Sequence, residues 1–252
     1  MQLDERIDRL TMQRYANPKA FIAIADRVIP WLKVLTGLAF VGGLYLALFQ
    51  APADYQQSET VRIMFVHVPT ATMSMMVFAI MTTSSIVALI WGHRVADLFA
   101  RASAPIGAAF TFIALFSGSF WGRPMWGTWW EWGDARLVSE LILLFIYFGY
   151  MGIWQTIDDP IKAAKAARIT AIVGAVNLPI IKFSVDWWNT LHQPASLVRM
   201  DGPAIHESLL WPLFAMWAAF GLFYVTMALI GTKIEILRFQ SRARAMRQTE
   251  GV

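Results

Sequence analysis

Between positions 121 and 136 the chain reads Trp121-Gly-Arg-Pro-Met-Trp126-Gly-Thr-Trp129-Trp130-Glu-Trp132-Gly-Asp134-Ala-Arg136, which places five of its twelve tryptophans within twelve residues. Indole rings offer wide apolar faces, and apolar burial is worth roughly 25 cal/mol per Å². Such a segment suits a large planar ligand. Trp126, Trp129 and Trp130 stand at i, i+3 and i+4, so on a helical turn they would share one face. Gly122, Pro124, Gly127 and Gly133 favour turns and close backbone approach. Arg123 and Arg136 flank the segment and suit bidentate contact with carboxylates.

Four histidines supply the metal-binding chemistry: His67 just before Pro69, His93 in Trp91-Gly-His-Arg, His192 in Trp187-Trp188-Asn-Thr-Leu-His-Gln-Pro194, and His206 beside Glu207. Neutral imidazole is a good iron ligand and a common axial ligand of haem. The chain has no cysteine. That excludes disulfides, thiolate metal sites and covalent haem attachment through a CxxCH motif on this chain. Any metal would be held by His, Met or carboxylate.

The elements that must position these groups are membrane spans. The 252 residues are 57% apolar and 15% charged, against about 25% charged in a soluble domain. A helix crosses the hydrocarbon with about 20 apolar residues. Six stretches qualify: 31–49, 71–91, 103–121, 137–154, 169–183 and 209–230. The fifth is short and holds Asn177 and Pro179, a combination a span tolerates when neighbouring helices satisfy the freed backbone groups. The prediction is an all-α polytopic protein, one membrane domain over residues 1–252. Residues 3–29 mix charges with Leu10, Phe21, Ile22, Ile24, Val28 and Ile29 and are expected to lie on the inner surface as an interfacial helix. Some thirty polar and charged residues precede the first apolar run, unlike a cleaved signal peptide, so that span is expected to be retained.

Orientation follows from Lys and Arg near span ends. Sixteen fall on the side of the two termini and five (Arg62, Arg123, Arg136, Lys182 and Arg199) on the other. Both termini are therefore predicted cytoplasmic, with segments 50–70, 122–136 and 184–208 outside. The +4 net charge is spread in short clusters between apolar runs, so no continuous basic face points to nucleic acid. No GxxxxGK[ST] motif is present, so nucleotide hydrolysis through a P-loop falls to a partner if the function needs it.

Topology sorts the candidates. An aromatic belt accounts for Trp31, Trp91 and Trp154 at the inner surface. It has no need of five indoles in one loop, joined at the outer boundary by Trp187, Trp188 and Trp211. His93 falls at the inner end of span two and reads as a solvated interface residue. His67 and His192 begin or lie in outer loops, where they can converge with residues 121–136; His206, just before span six, competes with His192.

The run Trp126-Gly-Thr-Trp-Trp-Glu-Trp-Gly-Asp134-Ala-Arg136-Leu, followed by Ser139-Glu140-Leu, resembles the tryptophan-rich "WWD" signature of haem-handling proteins of cytochrome c maturation, and most closely the cytochrome c maturation protein C (CcmC) family. Supporting stretches are Arg62-Ile-Met-Phe-Val-His67-Val-Pro69, Asn177-Leu-Pro-Ile-Ile-Lys-Phe-Ser-Val-Asp186 and Trp187-Trp-Asn-Thr-Leu-His192-Gln-Pro, so the likeness covers roughly residues 60 to 194 in order. It implies that His67 and His192 are axial ligands of a transient, non-covalent haem b. It implies that Trp121, Trp126, Trp129, Trp130, Trp132 and Asp134 belong to the haem surface, with Arg123 and Arg136 near the propionates. It further implies presentation of haem to a periplasmic chaperone, CcmE, in an inner-membrane ABC-type complex with the ATPase CcmA, the membrane subunit CcmB and the one-span CcmD. Here Gly133 separates Trp132 from Asp134, whereas the family usually joins Trp directly to Asp.

The reading is a haem-positioning subunit rather than an enzyme. A secondary transporter would want polar groups and broken helices at mid-membrane, for which Asn177, Pro179 and Glu140 are the only hints. An electron-transferring membrane cytochrome would place paired histidines within the spans.

Overall fold

The computed structural model describes residues 17–193, 197 and 202–250. Its helices are α1 (Pro18–Tyr45, closing on a π-helical turn Leu46–Gln50), α2 (Met64–Trp91, entered through a 3₁₀ turn Glu59–Ile63), α3 (Arg94–Trp126), α4 (Ala135–Thr156), α5 (Pro160–Gly174), α6 (Asn177–Trp187) and α7 (Glu207–Glu250). Among the described residues, six helical stretches are long and apolar enough to cross a membrane, the fifth built from α5 and α6 together. The protein is thus an all-α polytopic membrane protein.

The helix starts are encoded locally. Asn17 accepts from the Lys19 amide and Asp159 from the Ile161 and Lys162 amides, each just before a proline at the first helical position. A two-residue turn, Gly92-His93, joins α2 to α3, with Gly92 in the left-handed region (φ 64°). His93, expected to be merely solvated, caps α3: its Nδ1 accepts from the Ala96 amide at 3.1 Å. The Ala96 amide is shared between this ring nitrogen and His93 O at 3.0 Å, so one residue closes the first turn of α3 through both its side chain and its backbone.

The helices outrun the apolar stretches that announced them because paired charges extend them into the polar zone. In α3, Asp97 receives both Arg168 nitrogens of α5, at 2.7 and 2.5 Å, and Arg101 pairs with Glu235 of α7 at 3.3 Å. The expected interfacial helix is different in its described part. Residues 3–16 lie outside the described residues, and from Pro18 the chain runs helically straight into the first span, where Asp26 pairs with Lys233 of α7.

In the fifth stretch, two turn residues, Ala175 and Val176, separate α5 from α6. Pro179 falls in the first turn of α6, where a missing N–H costs little. Asn177 Nδ2 donates to Ser139 O of α4 at 2.9 Å, so a neighbouring helix holds the break.

α3 is the central helix, with more than half of its spanning window buried, and it packs on α2, α4 and α7. The core holds Phe65, Phe78, Phe110, Tyr147 and Tyr150. Gly107 of α3 admits the ring of Tyr147, whose hydroxyl donates to Ser74 O at 2.7 Å. α1 is peripheral and leans on α7 through Gly43 against Met216 and a Thr36–Thr226 hydroxyl pair at 3.0 Å. The tryptophan end is therefore assembled on α2, α3, α4 and α6.

Candidate functional site

His67 lies on the first turn of α2, facing the last turns of α3. Its Nδ1 is 3.0 Å from Ala114 O and 3.2 Å from Ser117 Oγ. A carbonyl only accepts, and the Ser117 hydroxyl spends its proton on Ile113 O at 2.6 Å. Nδ1 must therefore carry the hydrogen, which leaves the Nε2 lone pair for a metal. Gly118 makes this approach possible: a Cβ there would stand 2.8 Å from His67 Cε1. Trp121 packs edge-to-face on the imidazole, with centroids 5.7 Å apart, and its own Nε1 donates to Gln57 Oε1 at 2.9 Å.

His192 reaches the same end from the segment after α6. Its ring meets Trp126 at 4.9 Å between centroids, at 63°. Its Nδ1 is 3.3 Å from Asp134 Oδ2, an oxygen that also accepts from the Leu191 amide at 2.8 Å. The other oxygen, Oδ1, caps α4 by accepting from the Leu137 amide at 2.9 Å. Asp134 is fully buried at the side chain. Burial opposes its charge, but the hydrogen bonds from His192, Leu137 and Leu191 prevail and hold the carboxyl at about 2.

The tryptophans do not form one helical face. α3 ends at Trp126, because Gly127 takes the left-handed conformation (φ 78°) and its amide caps back on Arg123 O. Trp121 and Trp126 stand with the histidines. Trp129 packs on Phe120 at 5.2 Å, at the head of an exposed aromatic row that continues through Phe116 to Phe112. Trp130 pairs with Trp132 at 5.4 Å, and its buried Nε1 has no hydrogen-bond partner among the described residues. Asp134, with its side chain buried, caps the start of α4 next to this segment.

Both flanking arginines already touch protein. Arg123 is exposed and bonds Gly127 O, closing the end of α3. Arg136 is half-buried and donates to Ser184 Oγ at 3.2 Å and Lys182 O at 3.3 Å, joining α4 to α6. His206 is exposed and bonded to Ser208 at the start of α7. Glu140 accepts from Ser74 Oγ at 2.5 Å between α4 and α2. Gln57, Ala114, Ser117 and Gly118 escaped sequence reading. The small run Ser117-Gly118-Ser119 in an aromatic span was the one available signal; Gln57 had none.

These features define a class: a polytopic membrane protein presenting two oriented imidazoles and clustered indoles at one end of its bundle. Two open depressions, beside Lys33 and Lys233 and beside Phe21 and His93, lie at the opposite end.

The chain belongs to the CcmC family, whose model, described as "Heme exporter protein C", matches residues 11–247. It is 54% identical to the haem exporter protein C of Bradyrhizobium diazoefficiens over 95% of this chain and 90% of that relative. Identity to the protein of the same name from Escherichia coli K12 is 43%, covering 92% and 93% of the two chains. For that of Paracoccus denitrificans it is 39%, covering 95% and 99%.

Proposed function

We propose that this chain captures haem on the tryptophan end of its bundle, with His67 and His192 as axial ligands. The observation that carries this reading is the state of the two rings. Each has Nδ1 engaged by an acceptor, which leaves both Nε2 lone pairs available, and each has an indole packed against it. Bis-imidazole ligation with flat apolar walls fits a haem. The relatives' printed name, haem exporter protein C, agrees.

Haem supplies the iron and the apolar macrocycle; the chain's own residues position it. Trp121 and Trp126 border the two rings. Trp129, Trp130 and Trp132 extend the surface outward, and the buried N–H of Trp130 offers a donor to a polar edge of the ligand. Arg123, exposed on this end, and Arg136 supply positive charge for the propionates.

The distribution of basic residues supports an inner-membrane orientation with both termini cytoplasmic and this end periplasmic. There the haem b, held without covalent attachment, would be presented to the chaperone CcmE within a complex containing CcmA, CcmB and CcmD, which supplies the ATP chemistry this chain lacks. The role is positioning and transfer, not conventional catalysis. A transport path through the bundle is less well supported, because Asn177 and Glu140 are both spent on bonds between helices.

The test is the absorption spectrum of the chain purified with and without added haem. A bis-imidazole spectrum in wild type that disappears in both His67→Ala and His192→Ala supports the reading. A spectrum unchanged in both variants rejects it.

A further inference from the structure

The two rings are held by chemically different partners. His67 leans on a neutral carbonyl and a hydroxyl, Ala114 O and Ser117 Oγ, whereas His192 leans on a buried carboxylate, Asp134 Oδ2. We propose that Asp134 is a positioning residue that fixes the tautomer of His192 and makes it the stronger, ferric-preferring member of the pair. This rests on the haem reading above.

Three observations carry it. Asp134 Oδ2 accepts from both the Leu191 amide and the His192 ring, so one oxygen sets the backbone and the ring of the same short segment. Its other oxygen is fixed to the first turn of α4, which prevents the carboxylate from turning away. The side chain is fully buried, so water does not dilute the interaction. A carboxylate can only accept, so Nδ1 of His192 carries hydrogen and Nε2 presents its lone pair. A carboxylate behind a ligating imidazole also raises its basicity, which a carbonyl does more weakly. Stronger donation favours the higher charge on iron. Asp134 reaches these three donors because a turn, in which its own amide bonds Glu131 O and the Gly133 amide bonds Glu131 Oε1, delivers it to the start of α4.

The experiment uses the full chain in lipid nanodiscs and two variants. Asp134→Asn retains an oxygen for the Leu137 amide but turns an NH₂ toward Leu191 and His192. Asp134→Ser keeps a good helix cap and cannot reach the ring. The first readout needs no haem: the ¹⁵N shifts of labelled His192. In wild type Nδ1 is expected to be the protonated nitrogen, and in Asp134→Asn Nε2. The second is haem titration and the reduction midpoint, with both variants losing about 10- to 100-fold in affinity and shifting upward in potential. A purely structural role for Asp134 would leave the tautomer and potential unmoved in Asp134→Ser. Protonated Nε2 in wild type, or unchanged affinity and potential in both variants, overturns the proposal. Full haem binding by His192→Ala would instead overturn the haem reading beneath it.

Discussion

The imidazole of His67 occupies the space that a side chain at Gly118 would fill, with the nearest approach, 2.8 Å, at Cε1. Gly118→Ala should gain up to about 1 kcal/mol of intrinsic helix propensity. The ring cannot yield freely, because its Nδ1 is bonded to Ala114 O one turn earlier on the same helix. The expected outcome is a folded protein with sharply reduced haem content, measured as haem per protein in membranes of matched abundance. Undiminished content would mean that the ring position is not needed for capture.

The four histidines should separate cleanly. His67→Ala and His192→Ala are each expected to abolish or sharply weaken haem capture and to stop cytochrome c maturation. His206→Ala should be mild, since that ring is occupied with Ser208. His93→Ala should spare the haem spectrum yet lower thermal stability by about 1 kcal/mol through loss of the α3 cap. Equal damage from His206→Ala and His192→Ala would show that the axial pair is wrongly assigned.

Replacement of the indoles tests flat apolar contact. Trp126→Phe keeps much of the aromatic area beside His192, and Trp126→Ala loses about 3 kcal/mol or more, close to a hundredfold in capture. Trp129 faces Phe120 rather than either histidine, so Trp129→Ala should cost less than Trp126→Ala. A belt function would instead give small, uniform effects on haem and changes in membrane insertion.

Asp134 also makes stability depend on pH. Its carboxyl is held at about 2 in the folded chain, below its ordinary value of 3.8. The lower folded value means that its contribution is present above about pH 4 and is lost as pH falls toward 2. That contribution is on the order of 2 kcal/mol. Thermal unfolding in detergent should show wild type losing this increment across that window, and Asp134→Asn lacking it. Parallel pH profiles for the two proteins would contradict the assignment.

Reporter fusions at Asp158 and Gly202 test orientation. The sixteen-to-five division of basic residues predicts a cytoplasmic signal from the first and a periplasmic one from the second. The reverse pattern would put the histidine end in the cytoplasm and remove the route to a periplasmic acceptor.

Sequence alone determined the six apolar stretches, because lipid demands length and hydropathy that no local context can disguise. It also singled out the tryptophan run by type and spacing, and topology narrowed the histidines to His67, His192 and the competing His206, the axial pair resting on the family resemblance. What the tertiary structure decided is how those groups meet. Periodicity placed Trp126, Trp129 and Trp130 on one face, but the left-handed turn at Gly127 ends α3 and sends them to different neighbours. The room for His67 comes from Gly118, fifty-one positions away. The acceptor for His192 is Asp134, which sequence had grouped with the ligand surface and which packing buries at the start of α4. Contacts of that range depend on the relative placement of α2, α3, α4 and the segment after α6. That placement is set by packing among helices, through Gly107 with Tyr147 and Asn177 with Ser139, and no local pattern in the chain announces it.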